Sequence, residues 1–168
     1  MIRPAKVVEI PGILEIARAC AASMRARGIF QWDENYPSRA ALEHDLDRGE
    51  LWVFEKAGAP VAMVVVSTHM DREYEPVSWL TASKGNRYVH RLGVHPGYQR
   101  QGIAGKLMDF AEGLARDAGA PSVRLDTFSR NPGNQQFYER RGYTRLGVVY
   151  FPAQSAYPFY CYELPLSP

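Results

Sequence analysis

Long apolar runs, paired cysteines and an excess of one charge are all missing from this chain, and each absence removes a class of protein. No uninterrupted apolar stretch approaches the roughly 20 residues that a membrane-spanning helix needs. Arg3, Lys6, Glu9, Glu15 and Arg18 break any signal-peptide core near the N-terminus. The two cysteines, Cys20 and Cys161, stand far apart and match no zinc or redox spacing. No metal site is expected, and a reduced cytoplasmic thiol pair is the plain reading. Lys and Arg number 20 against 18 Asp and Glu, a formal charge of +2. That gives no concentrated basic stripe, so neither nucleic acid nor a membrane is expected as a partner. Repeats, low-complexity tracts and linkers are lacking too. What remains is 46% apolar and 23% charged residues over 168 positions, which suits one domain spanning residues 1–168.

Periodicity predicts an α/β (α+β) domain. Residues 1–4 read as a short edge strand. Ile10, Ile13, Leu14, Ala17, Cys20, Ala21 and Met24 keep helical spacing up to Gly28, with Pro11 in the first turn, where it is tolerated. A second helix starts at Ser38 as N-cap, turns Ala41, Leu42 and Leu46 inward and stops at Gly49. Residues 51–56 and 61–68 read as strands joined through Ala57, Gly58, Ala59 and Pro60. Residues 69–87 have no clear period and read mainly as loop. A strand over 88–94 comes next, then a helix with Ile103, Leu107, Phe110, Ala111, Leu114 and Ala118 on one face, ended by Gly119. A strand at 123–127, a helix at 134–141 and strands at 143–150 and 160–164 complete the order. The sum is a mixed, mostly antiparallel central sheet flanked by helices. The helical connection within residues 88–127 supplies one parallel pair.

The informative stretch is Gln99, Arg100, Gln101, Gly102, Ile103, Ala104 and Gly105, between a strand and a long helix. Small residues at such a junction let backbone N–H groups close on an anion. A P-loop would need a glycine where Arg100 stands and a Ser or Thr where Leu107 stands. A dinucleotide fingerprint would need a paired opening glycine, whereas the glycines here fall at 97, 102 and 105. Both readings fail, and a turn suited to a diphosphate remains.

The run Arg91, Leu92, Gly93, Val94, His95, Pro96, followed by Gln99, Arg100, Gln101, Gly102, Ile103, Ala104, resembles the acetyl-coenzyme A motif of the GCN5-related N-acetyltransferases (GNAT). About thirty residues on, the stretch from Asn131 through Tyr138 to Tyr143 resembles that family's second cofactor motif. The resemblance implies a GNAT-type domain with its cofactor in a splay between two strands. It implies that Leu92 and Val94 offer backbone groups to the pantetheine arm, that Gln99 through Gly105 hold the pyrophosphate by main-chain N–H groups, and that Asn131 contacts the cofactor. It further implies Tyr138 as general acid for the departing thiolate and the Val94 N–H as oxyanion donor. Each side chain also has a plainer reading: capping for Asn131, core packing for Tyr138, solvation for Arg100 and Lys106.

An attacking amine must shed a proton, since alkylammonium groups titrate near 10. Strict alternation places Tyr88, His90, Leu92 and Val94 on one strand face, which makes His90 the titratable candidate for the base, with a buried structural histidine as the alternative. His95 reads as a turn residue. Trp32, Tyr36, Trp79 and Tyr157 line an acceptor site or close the core beneath loops. The expected activity is acetyl transfer from acetyl-coenzyme A to a small-molecule or peptide amine in a ternary complex, without a metal or covalent intermediate. The rival is an acyl-coenzyme A sensor without turnover. A homodimer is left open, as is the acceptor.

Overall fold

In the computed structural model, which describes residues 1–167, the first apolar stripe forms helix α1 (Ile10–Ala26), with a proline in its first turn. Its buried side includes Ile13, Ala17, Cys20 and Met24, as the spacing predicts. Helix α2 (Arg39–Asp47) begins where expected: the Ser38 hydroxyl accepts from the Ala41 N–H at 3.1 Å. Leu42 is fully buried on its inner face, but so is Asp45, a charged residue one turn on.

Strand β1 (Ile2–Pro4) pairs antiparallel with β2 (Leu51–Lys56), and β2 with β3 (Ala59–Ser67). The β2–β3 link is shorter than the sequence suggests: Ala57 and Gly58 alone make the turn, both with positive φ, and Ala59 and Pro60 already pair. Two left-handed residues match the twist of a two-residue hairpin, which is why the link closes there. β3 is buried at every position from Val61 to Ser67, the pattern of a strand covered on both faces.

Strand β4 (Arg87–Val94), helix α3 (Ile103–Asp117), β5 (Ser122–Phe128), α4 (Pro132–Arg140), β6 (Thr144–Val149) and β7 (Phe159–Pro165) follow. The hydrogen-bonded order is β1-β2-β3-β4-β5-β7-β6. β4 and β5 form the expected parallel pair, in register at Arg87 with Val123 and Tyr88 with Arg124. β7 pairs antiparallel with both β5 and β6. No helix among the described residues is long and apolar enough to cross a membrane.

The chain divides into two units. The first holds Met1–Val66 and His90–Ala111. Its core sets α1 and α2 against β2 and β3, and includes Trp32, only 7% exposed. Trp32 therefore serves the core. Gly93 lies so close that a Cβ there would come within 3.1 Å of the Trp32 ring.

The second unit holds Ser67–Val89 and the chain from Glu112 on. Its core is aromatic, with Phe128 5.1 Å from Phe159 and Tyr138 5.8 Å from Tyr143 between ring centroids. Glu112 is buried and accepts from the Arg141 guanidinium and the Tyr143 hydroxyl, each at 2.9 Å, which ties the end of α4 to α3. Residues 69–87 are held by a buried ion pair. Arg124 and Glu163, both fully buried, meet at 2.9 Å. Arg124 also donates to the Thr81 carbonyl and the Ser83 hydroxyl at 2.7 Å, while Glu163 accepts from the Leu80 N–H and the Thr81 and Ser122 hydroxyls.

Candidate active site

The turn after β4 has the backbone its position requires. A 3-10 turn, Pro96–Tyr98, opens with the His95 ring accepting from the Gly97 N–H at 3.0 Å, which makes His95 the turn residue expected. Arg100 and Gly102 then take left-handed φ values of 63° and 79° before α3 starts at Ile103. Only glycine adopts such φ without strain, so Gly102 is specified by conformation while Arg100 is held there against its preference. The Gln99 side chain turns back to donate to the Val94 carbonyl at 3.0 Å, and Gln101 accepts from Lys56 Nζ at 2.8 Å. Gln99, Arg100, Gln101 and Gly102 are exposed, Ala104 and Gly105 half-buried and Ile103 buried. A helix start of this kind directs several backbone N–H groups toward an approaching anion.

β4 departs from regular strand geometry at one residue, and its burial does not alternate. Arg91 has φ 50°, a left-handed residue inside a strand. Tyr88 and Val89 are both buried, as are Gly93 and Val94. Arg91, which reaches Asp45 and Tyr36, and Gly93, which lies against Trp32 and Cys20, still face the same α1 and α2 side, as alternation expects. The Arg91 side chain is held from outside the strand. Arg91 donates through Nε and Nη2 to the two oxygens of Asp45, each at 2.7 Å, and through Nη1 to the Tyr36 hydroxyl at 3.4 Å. Burial alone would lower the Arg91 pKa, but the hydrogen bonds to Asp45 more than offset it and the guanidinium stays charged. Asp45 was not singled out in the sequence; the signal was a carboxylate on the same helix face as Leu42.

His90 is half-buried, and burial, followed by the neighbouring Arg91 charge, lowers its pKa to about 4. The ring is neutral at physiological pH. Cys20 donates its thiol to the Val94 carbonyl at 3.2 Å, and burial pushes it up to about 12. It stays a thiol. Burial pushes Cys161 up as well.

In the second unit, Asn131 caps α4: its side chain accepts from the Asn134 N–H at 3.2 Å, and the residue is 5% exposed. The capping role is thus present. Tyr138, in the following turns, is 6% exposed, and its ring also lies 6.1 Å from that of Tyr162. Its hydroxyl bonds to no described residue. Burial and then the Asp126 charge push its phenol well above the usual value, with Arg141 pulling it partly back. Tyr138 keeps its proton. Asp126, on β5, accepts from the Tyr74 hydroxyl and was another residue the sequence did not single out. Trp79 is half-buried with the Arg124 guanidinium 4.4 Å from its ring centre, a structural contact. Tyr36 is half-buried and bound to Arg91, and Tyr157 is 48% exposed.

A sequence model described as Acetyltransferase (GNAT) family matches residues 13–143. The uncharacterized N-acetyltransferase YesJ of Bacillus subtilis (strain 168) is 26% identical over 150 residues, which cover 86% of this chain and 82% of that protein. Among solved structures, a GNAT-family acetyltransferase from Streptococcus agalactiae shares the fold with a TM-score of 0.83 at 23% identity, over 100% of this chain and 96% of that one. The structure of yncA from Salmonella typhimurium with its cofactor acetyl-CoA gives a TM-score of 0.71 at 17% identity, over 100% and 94% of the two chains.

Proposed function

From a chain that belongs to the GNAT acetyltransferase family, and so is an acyltransferase, we propose an N-acetyltransferase that moves an acetyl group from acetyl-coenzyme A to a primary amine within a ternary complex. The observation that carries this reading is the turn between β4 and α3, whose left-handed Arg100 and Gly102 lead into an exposed helix start suited to a diphosphate. The acetyl-CoA in the Salmonella structure of similar fold supports the choice of donor.

Gln99 through Gly105 grip the pyrophosphate by main-chain N–H groups, with Arg100 adding charge. Leu92 and Val94 give backbone groups to the pantetheine arm, which lies along β4 as an added strand. Support comes from the register: pairing with β5 covers Arg87 and Tyr88, while β4 continues to Val94. Asn131 combines its cap with a cofactor contact. The amine nitrogen attacks the thioester carbon, the Val94 N–H stabilises the oxyanion, the C–S bond breaks and Tyr138 protonates the sulfur. His90 takes the proton from nitrogen. An imidazole near 4 cannot hold a proton drawn from a free alkylammonium near 10. It can accept one only after C–N bond formation has made the nitrogen acidic. The acceptor is a small-molecule or peptide amine, in the cytoplasm.

Thiol release from acetyl-coenzyme A across polyamines, aminoglycosides, amino acids and peptides tests this reading. Turnover with one amine class supports it; calorimetric binding without thiol release from any of them favours a sensor instead. His90 adds a pH signature. Because the folded ring titrates about 4 rather than 6.5, kcat/KM should show no His90 limb between pH 5.5 and 7.5, roughly the window of an unperturbed histidine. A His90 resonance titrating near 6.5 by NMR would remove that expectation. Stability responds in the matching direction. The unfolded chain takes up the proton first, so the His90 contribution is complete above about 6.5 and is lost as pH falls toward 4.

A further inference from the structure

Arg91 is in a conformation its own chemistry does not favour. A left-handed φ is disfavoured for any residue that carries a side chain, and β4 carries Arg91 at φ 50° in mid-strand. Something must hold it there. The Asp45 carboxylate, 3% exposed on α2, takes both parallel hydrogen bonds of the guanidinium at 2.7 Å. A planar fork on a carboxylate fixes orientation as well as distance. The residues after the kink are held as well, by Trp32 against Gly93 and by the Cys20 thiol and Gln99 amide on the Val94 carbonyl.

We propose that Asp45 is a positioning residue for acetyl-coenzyme A: by clamping Arg91 it sets the kink in β4 that aims the backbone of residues 92–94 at the pantetheine arm. This rests on the function proposed above. Asp45 touches no part of the cofactor; its effect passes through Arg91 into the main chain. The clamp also explains why an arginine is tolerated at a position where glycine would be free.

Two substitutions at Arg91 separate the conformational role from simple loss of charge. Arg91→Gly and Arg91→Val both delete the guanidinium, but glycine accepts left-handed φ and valine resists it. Acetyl-coenzyme A should bind Arg91→Gly within about 3-fold of the parent protein and Arg91→Val at least about 10-fold more weakly, with saturated kcat changing less than KM. Asp45→Asn should weaken binding about 10-fold, and Asp45→Asn/Arg91→Gly should recover most of it by removing both the strain and the stranded charge. Equal affinities for Arg91→Gly and Arg91→Val would overturn the proposal. So would an Asp45→Asn protein that melts earlier yet binds with parental affinity. A parent protein that binds no acetyl-coenzyme A would overturn the proposed function instead. In that event, amide exchange of residues 92–94 in the unliganded protein still tests the clamp: faster exchange in Asp45→Asn supports it, unchanged exchange refutes it.

Discussion

Tyr138→Phe should lower kcat about 100-fold or more, the range expected when a positioned general acid is deleted, while leaving the melting temperature and acetyl-coenzyme A affinity near those of the parent. Both halves of this expectation follow from the packing. The ring lies among Tyr143, Tyr162 and Phe137, and phenylalanine keeps all of those contacts. The hydroxyl bonds to no described residue, so its deletion strands no partner and carries little stability cost. The loss should be uniform from pH 6 to 9, roughly the assay window, because burial and the Asp126 charge keep the phenol protonated throughout it. Steady-state kinetics on Tyr138→Phe, with calorimetry for the cofactor, decides the matter. A variant with the full acetylation rate removes Tyr138 as the acid. A variant that loses cofactor affinity with unchanged saturated kcat makes it a binding residue.

The elements around the turn were legible because their signals are local. Ser38 and Asn131 cap helices through bonds three residues away, and Gly102 marks its own left-handed φ. Arg91 was not legible for the opposite reason. Its left-handed φ sits inside a strand pattern that gives no sign of it, and the carboxylate that holds its side chain, Asp45, comes from 46 residues earlier. The charge on α2 was the one local hint, since Asp45 sits a turn beyond Leu42 on the buried face. Residues 69–87 show no period because their own apolar pattern does not place them. Side chains from β5 and β7 reach in and bind their backbone and hydroxyl groups. Trp32 failed to declare itself because an aromatic in an irregular segment serves equally well as lining or as core. Its position against Gly93 decides for the core.

That dependence on two inserted side chains makes Arg124→Met the most destabilising single change expected outside the proposed chemistry. Both partners are fully buried, and removing one strands the other, at a cost of about 3–5 kcal/mol. For a chain of this length the midpoint of thermal unfolding should fall on the order of 10 °C. Burial alone would raise the Glu163 carboxyl, but hydrogen bonds from Ser122, Thr81, Arg124 and the Leu80 N–H hold it below its ordinary range. A carboxylate lowered in the folded state stabilises above its unfolded value, near 4.5, and loses that contribution as pH falls through the folded value. Acid unfolding of the parent should therefore steepen below about 4, where carboxylates begin to protonate. Glu163→Gln should flatten that limb while lowering stability at pH 7. Replacing both partners, Arg124→Met with Glu163→Leu, should recover much of the loss, because no charge is then left buried without its counterion. It should not restore slow amide exchange across residues 69–87, since the Thr81 carbonyl and Leu80 N–H would still lack their partners. If the double variant protects those amides as well as the parent does, the loop is held by its own packing. If Arg124→Met melts with the parent, the pair is dispensable.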